Sequence, residues 1–146
     1  MVHLRPTYPN RKNGLLDECI KRYLEKKEEY TSLRTIIPTE MIPYKMYHME
    51  DSELVPIFKE FSNIKEPYNQ CRQIFPNTYV HNGCIDIISI ETIENGSMTG
   101  ERIYGYIMDK SEDGDIDTEE DMKRVKEKYK MEEEVEDINY EEYKFC

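Results

Sequence analysis

The sequence predicts an α/β fold whose sheet is mainly parallel or mixed. Segments with apolar residues at helical spacing alternate along the chain with segments rich in β-branched residues, and such alternation is typical of α/β architecture. The length of 146 residues suits one domain, and 12 Tyr and 4 Phe supply aromatic side chains for a core. We therefore expect one folded domain with a single hydrophobic core.

The chain opens with an extended segment that leads into a helix. Pro6 and Pro9 exclude a helix from the first residues, because proline lacks the N–H donor of a helical hydrogen bond. Apolar residues then recur at helical spacing over residues 15–24, with charged residues on the other face. This pattern predicts a surface helix of about four turns, and Asn10 and Asn13 are its candidate N-caps.

A strand, an irregular lobe and a second strand follow this helix. Residues 31–37, TSLRTII, are rich in β-branched side chains and are followed by a proline, so they predict a strand. Residues 41–78 are less regular, and we interpret them as an inserted lobe. The strongest strand signal covers residues 79–90 and is interrupted by Asn82 and Gly83. A glycine inside a strand marks a bulge or a close approach to the backbone.

Three further elements are predicted after this strand. A short helix is expected at residues 91–94, and a strand is expected at residues 102–108, where apolar residues alternate. A final helix is expected to begin at Thr118, because Thr118 and Asp121 have the spacing of a capping box. In that motif each of the two residues satisfies a backbone N–H of the other.

The formal net charge of −11 is concentrated near the C-terminus. Residues 111–146 contain 15 acidic and 6 basic residues, a net charge of −9, which leaves −2 for residues 1–110. We interpret residues 131–146 as an acidic extension to a domain of residues 1–130, either a solvated, partly helical tail or an extra docked helix. An acidic chain repels phosphates, so neither nucleic acid nor an anionic membrane surface is expected as a partner.

The distribution of apolar residues and cysteines predicts a cytoplasmic protein. The apolar runs are far shorter than the roughly 20 residues that span a bilayer, and no signal-peptide stretch follows Met1. The cysteines form no C-x-x-C pair and are spread along the chain, which favours reduced thiols over a disulfide or zinc framework. They are Cys19, Cys71, Cys84 and Cys146.

The densest group of candidate metal ligands is residues 109–121, DKSEDGDIDTEED. By spacing alone residues 109–120 match a calcium EF-hand loop, with Gly114 at the turn and Glu120 at the twelfth position. An EF-hand loop lies between two helices, whereas residues 102–108 predict a strand. The chain also contains no second loop of this kind.

A competing interpretation uses only Asp115 and Asp117. Two carboxylates two residues apart on an extended segment are able to bind one Mg²⁺ ion together with substrate phosphates. They lie in an Asp-Ile-Asp-Thr stretch just before the predicted final helix. The three histidines, His3, His48 and His81, are scattered in the sequence and have no predicted role.

Five stretches resemble, in the same order, motifs of the acylneuraminate (sialic acid type) cytidylyltransferases. They are residues 4–11 (LRPTYPNR), 43–45 (PYK), 72–76 (RQIFP), 79–87 (YVHNGCIDI) and 115–118 (DIDT). The resemblance implies an incomplete nucleotide-diphospho-sugar-transferase-like (Rossmann-like) mixed sheet with helices and an inserted dimerisation lobe at residues 41–78.

The resemblance also implies a reaction. Enzymes of this family transfer CMP from CTP to a nine-carbon 2-keto sugar acid of the sialic, pseudaminic or legionaminic type. The anomeric hydroxyl attacks the α-phosphate with Mg²⁺ assistance, and pyrophosphate is released. By resemblance, Asp115 and Asp117 would hold Mg²⁺, and Asp117 would accept the proton of the sugar hydroxyl.

A set of substrate-binding residues follows from the same resemblance. Lys45 and Arg72 match positively charged positions that approach the sugar acid, where cations would pair with its carboxylate. Arg5 stands where most members have a Gln that faces the sugar, and Asp86 stands where many have Tyr. Asn82 lies in the same sugar-facing strand.

Complete members of this family also have a Gly-rich loop that wraps the triphosphate of CTP. The six glycines of this chain are dispersed and form no such loop. The resemblance therefore implies the C-terminal part of a truncated or split enzyme, which would form a homodimer or need a complementing N-terminal chain for activity. Two alternatives stay open: a non-catalytic dimerising or sugar-acid-binding remnant, and a calcium-binding loop at residues 109–120.

Overall fold

The computed structural model describes residues 1–112 and 114–128 of the chain. The chain divides into two compact units. The first unit consists of Met1–Ile36 and the chain from His81 onward, and the second unit consists of Ile37–Val80. The lobe predicted at residues 41–78 falls within the second unit, and its role in dimerisation stays a prediction. The acidic extension predicted at residues 131–146 lies outside the described residues.

The described strands and helices alternate as an α/β fold requires. In chain order they are β1 (Val2–His3), α1 (Leu15–Lys26), β2 (Ser32–Thr39), β3 (Tyr47–Glu50), β4 (Glu53–Pro56), β5 (Glu60–Phe61), β6 (Ile64–Lys65), β7 (Thr78–Ile88), α2 (Ile90–Glu94) and β8 (Ile103–Ile107), followed by helical residues 119–128. The main sheet has the strand order β1-β7-β2-β8. Its β1–β7 pair is antiparallel and its β2–β8 pair is parallel. The predicted mixed α/β class is confirmed.

Helix α1 forms where the helical spacing predicts it, but its start differs from the prediction. The N-cap is Gly14, with φ of 80° and no side-chain hydrogen bond, so the predicted caps Asn10 and Asn13 are wrong. Glycine adopts this left-handed conformation because it has no Cβ to clash with the backbone. Two acidic residues in the first turn favour the helix start through the helix dipole, and the helix buries Leu15, Cys19 and Tyr23.

The core of the first unit is built on β2 and β7. Leu33, Ile85 and Ile88 are at most 1% exposed, and each such side chain contributes roughly 1.5–3 kcal/mol by leaving water. All residues of β7 from Asn82 to Ile88 are buried. A strand buried on both faces explains why residues 84–88 are a nearly continuous apolar run.

The hydroxyl of Thr35 links the two central strands. Thr35 is fully buried, and its Oγ1 accepts a hydrogen bond from the N–H of Ile85 at 2.9 Å. The same hydroxyl donates its hydrogen to Asn82 Oδ1 at 2.8 Å, and the carbonyl oxygen of Ile85 lies 3.2 Å from it. These contacts satisfy backbone groups of β7 next to Gly83, whose φ of 71° breaks the regular strand conformation.

The second unit has its own aromatic cluster and two short hairpins. Strands β3 and β4 pair antiparallel, as do β5 and β6. Tyr44 lies at the centre of the cluster, with its ring centroid 3.9 Å from that of Phe61 and 5.2 Å from that of Phe75. Several large apolar side chains of this unit remain exposed, among them Met49 at 60% and Leu54 at 58%.

The thiols and the final helix agree with the sequence analysis. Cys19, Cys71 and Cys84 are free. Burial raises the pKa of the Cys19 thiol to about 12 and that of the Cys84 thiol to about 11.

The predicted capping box is present, because Asp121 Oδ2 accepts from the N–H of Thr118 at 3.0 Å and Thr118 Oγ1 accepts from the N–H of Asp121 at 3.2 Å. Among the described residues, no helix combines the length and apolar character needed to cross a membrane.

Replacing Thr35 by Val should lower the free energy of unfolding by about 1–3 kcal/mol, because the isosteric change leaves the N–H of Ile85 buried without a partner. Thr35→Ser is the matched control. It keeps the hydroxyl and should cost only about 1 kcal/mol for the lost methyl group. Urea unfolding followed by circular dichroism measures both, and a Thr35→Val protein as stable as the wild type would contradict the proposed link.

Candidate functional site

The loop of residues 4–12 is attached to strand β7 by Arg11. Arg11 Nε donates to the carbonyl oxygen of Cys84 at 3.0 Å, and its NH2 group donates to the carbonyl oxygen of Arg5 at 2.7 Å. The N–H of Tyr8 also donates to the carbonyl oxygen of Arg5, at 3.2 Å. One guanidinium therefore holds the loop in a fixed conformation beside the strand.

The same loop contacts the acidic segment that precedes the final helix. The fully buried Tyr8 donates its hydroxyl hydrogen to the carbonyl oxygen of Glu112. The N–H of Ile116 donates to the carbonyl oxygen of Thr7 at 2.9 Å. Gly114 is buried against Tyr8, and a Cβ on Gly114 would lie 3.5 Å from the Tyr8 ring. Stretches far apart in sequence thus meet in the first unit.

Gly83 allows the side chain of Arg5 to pack against the backbone of β7. A Cβ on Gly83 would lie 3.0 Å from Arg5 Cδ and 3.3 Å from Arg5 NH1. The φ of Gly83 is also in the left-handed region, which side chains rarely adopt. The predicted irregularity in this strand is present, and the group that approaches the backbone is an arginine of the same chain.

Asp86 is the centre of a charged cluster. Its side chain is 3% exposed, and its Oδ1 lies 3.0 Å from His81 Nε2 and 3.0 Å from Arg34 Nε. Its Oδ2 lies 3.7 Å from His3 Nδ1. Arg5 joins the cluster through His81, because Arg5 NH2 lies 3.5 Å from His81 Nδ1. Two arginines and two histidines therefore surround one buried carboxylate.

The charges around Asp86 keep it ionised. Burial acts to raise the pKa of Asp86, but the hydrogen bond from His81 and the charges of Arg34 and Arg5 outweigh burial. The pKa of Asp86 consequently lies below its ordinary value of 3.8.

Asn82, predicted to bind substrate, has its side chain engaged within the fold. Asn82 is 3% exposed. Its Oδ1 accepts from Thr35 Oγ1 at 2.8 Å and from the N–H of Cys84 at 3.3 Å, and its Nδ2 contacts Met108 Sδ at 3.3 Å. These contacts hold the backbone around Gly83.

Lys45 and Arg72, also predicted to bind substrate, belong to the second unit. Lys45 Nζ donates to the carbonyl oxygen of Gln70 at 2.5 Å, and Arg72 NH2 donates to the carbonyl oxygen of Glu40 at 2.9 Å. Both cations thus brace the backbone of their own unit, while Arg5, Asn82 and Asp86 of the predicted set lie together in the first unit.

Asp115 and Asp117, the predicted metal ligands, lie directly before the final helix. Asp115 Oδ1 accepts from the N–H of Ile116 at 3.2 Å, whereas Asp117 is exposed and lines a groove of about 450 Å³ with Lys123 and Lys126. Among residues 1–112 and 114–128, no group of three or more His, Cys, Asp or Glu side chains is able to hold a metal ion. Two carboxylates do fit Mg²⁺, which takes its remaining oxygen ligands from water and phosphates.

The helix that an EF-hand needs before its loop is replaced by strand β8 (Ile103–Ile107). Residue 113 of that loop lies outside the described residues. A strand in place of a helix before the loop therefore disfavours the calcium-binding alternative. The acidic segment is followed directly by the Thr118 capping box.

Sequence analysis missed three members of the Asp86 cluster. It gave no role to His3 and His81, which are distant in sequence but face the same carboxylate. The signal for Arg34 was available, because Arg34 is the one charged residue in the strand segment TSLRTII. A charge inside a buried strand requires a partner of opposite sign.

Comparison with known proteins identifies no relative. No protein-family model matches this sequence, and no curated protein matches it. The function of the chain therefore has to be argued from its own residues and from the motif resemblance.

Replacing Asp86 by Asn should lower the free energy of unfolding by about 1.5–3 kcal/mol near neutral pH, because the charge-assisted hydrogen bond with His81 and the ion pair with Arg34 are lost. The pKa of Asp86 is lower in the folded protein than its ordinary 3.8. Its stabilising contribution is therefore present above that value and is lost as the pH falls below it.

Unfolding measurements from about pH 5 to about pH 2 test the sign of this linkage. The stability difference between wild type and Asp86→Asn should shrink as the pH falls. Asp51→Asn, at an exposed turn of the second unit, is the control and should show no such difference. A difference for Asp86→Asn that grows toward low pH would contradict the assignment.

Proposed function

We propose that this chain is part of a nucleotidyltransferase of the acylneuraminate cytidylyltransferase type, which transfers CMP from CTP to a 2-keto sugar acid and releases pyrophosphate. The proposal is carried by the contacts between motif stretches that are far apart in sequence. Within residues 4–11, Arg11 contacts Cys84, next to Asn82 and Gly83 in β7, and Thr7 contacts Ile116 in the Asp-Ile-Asp-Thr segment. Motifs that serve one reaction need to be adjacent in this way.

The fold component of the proposal is a nucleotide-diphospho-sugar-transferase-like sheet. It is supported by the mixed sheet of the first unit, with its parallel β2–β8 pair and with α1 in contact with β8. In open α/β sheets ligands bind outside the carboxyl ends of parallel strands. The stretch after the carboxyl end of β8 is the acidic segment with Asp115 and Asp117.

Asp115 and Asp117 are the residues that would hold Mg²⁺. When bound, the ion would offset negative charge on the phosphates of CTP. Asp117 is also the candidate acceptor of the proton from the attacking sugar hydroxyl, because it is exposed and lines the groove beside the final helix. Arg5 would contact the sugar acid, and Asp86, whose side chain is 3% exposed, would act by holding the cations around it. Asn82 would support that contact by fixing the backbone around Gly83.

Two further parts of the proposal concern CTP and assembly. The roles of Lys45 and Arg72 in binding substrate stay predictions from the motif resemblance. The dispersed glycines form no phosphate loop, so we propose that a complementing N-terminal chain supplies the CTP loop. The exposed apolar side chains of the second unit would pair two copies as a homodimer. The proposed reaction takes place in the cytoplasm.

Asp117→Asn is expected to lower the rate of CTP-dependent pyrophosphate release by at least about 100-fold, because it removes the candidate base and a metal ligand. The assay mixes the chain with a complementing N-terminal chain, CTP, Mg²⁺ and N-acetylneuraminic acid. Glu120→Gln, an exposed position in the same acidic segment, is the matched control and should retain the wild-type rate. Equal rates for Asp117→Asn and wild type, or no release from any mixture, would contradict the proposal.

The homodimer makes a separate prediction. Met49 and Leu54 are directly opposite each other in the β3–β4 hairpin and are exposed at 60% and 58%. The double variant Met49→Glu, Leu54→Glu should shift a dimer to monomer in sedimentation velocity, because burying two carboxylates in an interface is costly. Glu50→Gln on the same hairpin should leave the dimer intact. A monomeric wild-type protein would contradict this assignment.

A further inference from the structure

Two arginines of the Asp86 cluster, Arg5 and Arg34, have guanidinium N–H groups with no partner in the described part of the chain. We propose that Arg34, together with Arg5, binds the carboxylate group of the sugar acid, and that Asp86 and His81 are positioning residues for this pair. The identity of the ligand rests on the proposed function, whereas the site itself rests on the geometry of the cluster.

The first observation concerns Arg34. Its Nε is buried and lies 3.0 Å from Asp86 Oδ1, yet the Nε–H group is not aligned for a hydrogen bond. Within residues 1–112 and 114–128, no hydrogen bond engages the terminal nitrogens of Arg34. The side chain is 28% exposed. Asp86 thus anchors Arg34 by its charge while the planar fork of the guanidinium stays available to a ligand.

The second observation concerns Arg5. Its one side-chain hydrogen bond to the described part of the chain is the 3.5 Å contact with His81 Nδ1, which is at the limit of hydrogen-bond length. An arginine is only a donor, so His81 Nδ1 accepts and His81 Nε2 donates to Asp86 Oδ1 at 3.0 Å. This relay orients Arg5 and leaves most of its N–H groups without a partner.

Exposed apolar side chains lie beside Arg34 on the face of β8. Arg34 is paired in register with Gly105 of β8, which has no side chain of its own, and the side chain of Ile36 occupies the space that a Cβ on Gly105 would take. Ile103 and Ile107 lie two residues to either side of Gly105, on the same face of the strand, and they are 45% and 58% exposed. A cationic centre with apolar flanks suits a ligand that combines an acidic group with a carbon framework, as a sugar acid does.

The balance of charge favours a carboxylate over a polyphosphate. Arg5 and Arg34 contribute two positive charges and Asp86 one negative charge, so these three side chains have a net charge of +1. The loop that carries Arg5 is hydrogen-bonded to the acidic segment at Ile116, and the whole chain has a net charge of −11. A monoanion is attracted to such a site, whereas a polyanion is repelled by its surroundings.

The test measures binding of two probes to the full chain, without turnover. The probes are N-acetylneuraminic acid and its methyl ester, in which one methyl group replaces the negative charge of the carboxylate. Isothermal titration calorimetry gives their affinities. The wild-type protein should bind the acid at least about tenfold more tightly than the ester. Arg34→Gln should reduce this acid-to-ester ratio to about one, and Arg34→Lys, which keeps the charge but not the fork, should give an intermediate ratio.

Arg102→Gln is the matched control, because Arg102 is an exposed arginine at the start of β8 that pairs with Glu29. It should keep the wild-type ratio. If Arg34→Gln does not fold, which circular dichroism shows, Arg34→Lys alone decides the question. A wild-type protein that binds neither probe, or an Arg34 variant with the wild-type ratio, overturns the inference. Inorganic pyrophosphate that binds more tightly than the acid, with binding that Arg34→Lys abolishes, also overturns the inference.

The same measurement separates this inference from the proposed reaction. Asp117→Asn should keep the wild-type acid-to-ester ratio while it loses CMP transfer. An Arg34-dependent ratio in a protein that never transfers CMP supports the binding site and contradicts the reaction. If CMP transfer is observed but the acid-to-ester affinity ratio is the same in wild type and in the Arg34 variants, the reaction is supported and the binding site is overturned.

Discussion

The buried carboxylate of Asp86 is the constraint on which the first unit depends. A carboxylate that is 3% exposed requires cations or donors nearby, since an unpaired buried charge is strongly destabilising. Four segments meet that requirement: β1 supplies His3, the following loop supplies Arg5, β2 supplies Arg34 and β7 supplies His81. The strand order β1-β7-β2 brings these segments together, so electrostatics and sheet topology specify the same arrangement.

This arrangement concentrates positive charge in the first unit. The cations that neutralise Asp86 exceed its single charge, which produces a local positive site in a chain whose net charge is −11. The loop that supplies Arg5 is held at one end by Arg11 and at the other by the acidic segment through Tyr8. The proposed site for an anionic group and the two carboxylates proposed to bind Mg²⁺ are thus connected by one short loop.

The sequence predicted more of the fold than of the site, for physical reasons. Helical and alternating patterns are local, so α1, β7 and the Thr118 capping box occurred within a few residues of their predicted positions. The N-cap of α1 was predicted wrongly, because Gly14 takes that position in a left-handed conformation that the neighbouring residues do not indicate. Arg34 and His81 were missed because their role depends on a partner across the sheet.

The sequence by itself determined the α/β alternation, the acidic character, the irregularity at Gly83 and the two carboxylates before the last helix, because each depends on neighbouring residues. Only the tertiary structure decided that Asn82 holds the backbone of β7 and that Asp86 gathers arginines and histidines around it. Such roles depend on contacts between residues far apart in the chain, as in the hydrogen bond of Thr35 to Asn82. Periodicity and spacing contain no information about these distances, whereas the register of a sheet fixes them.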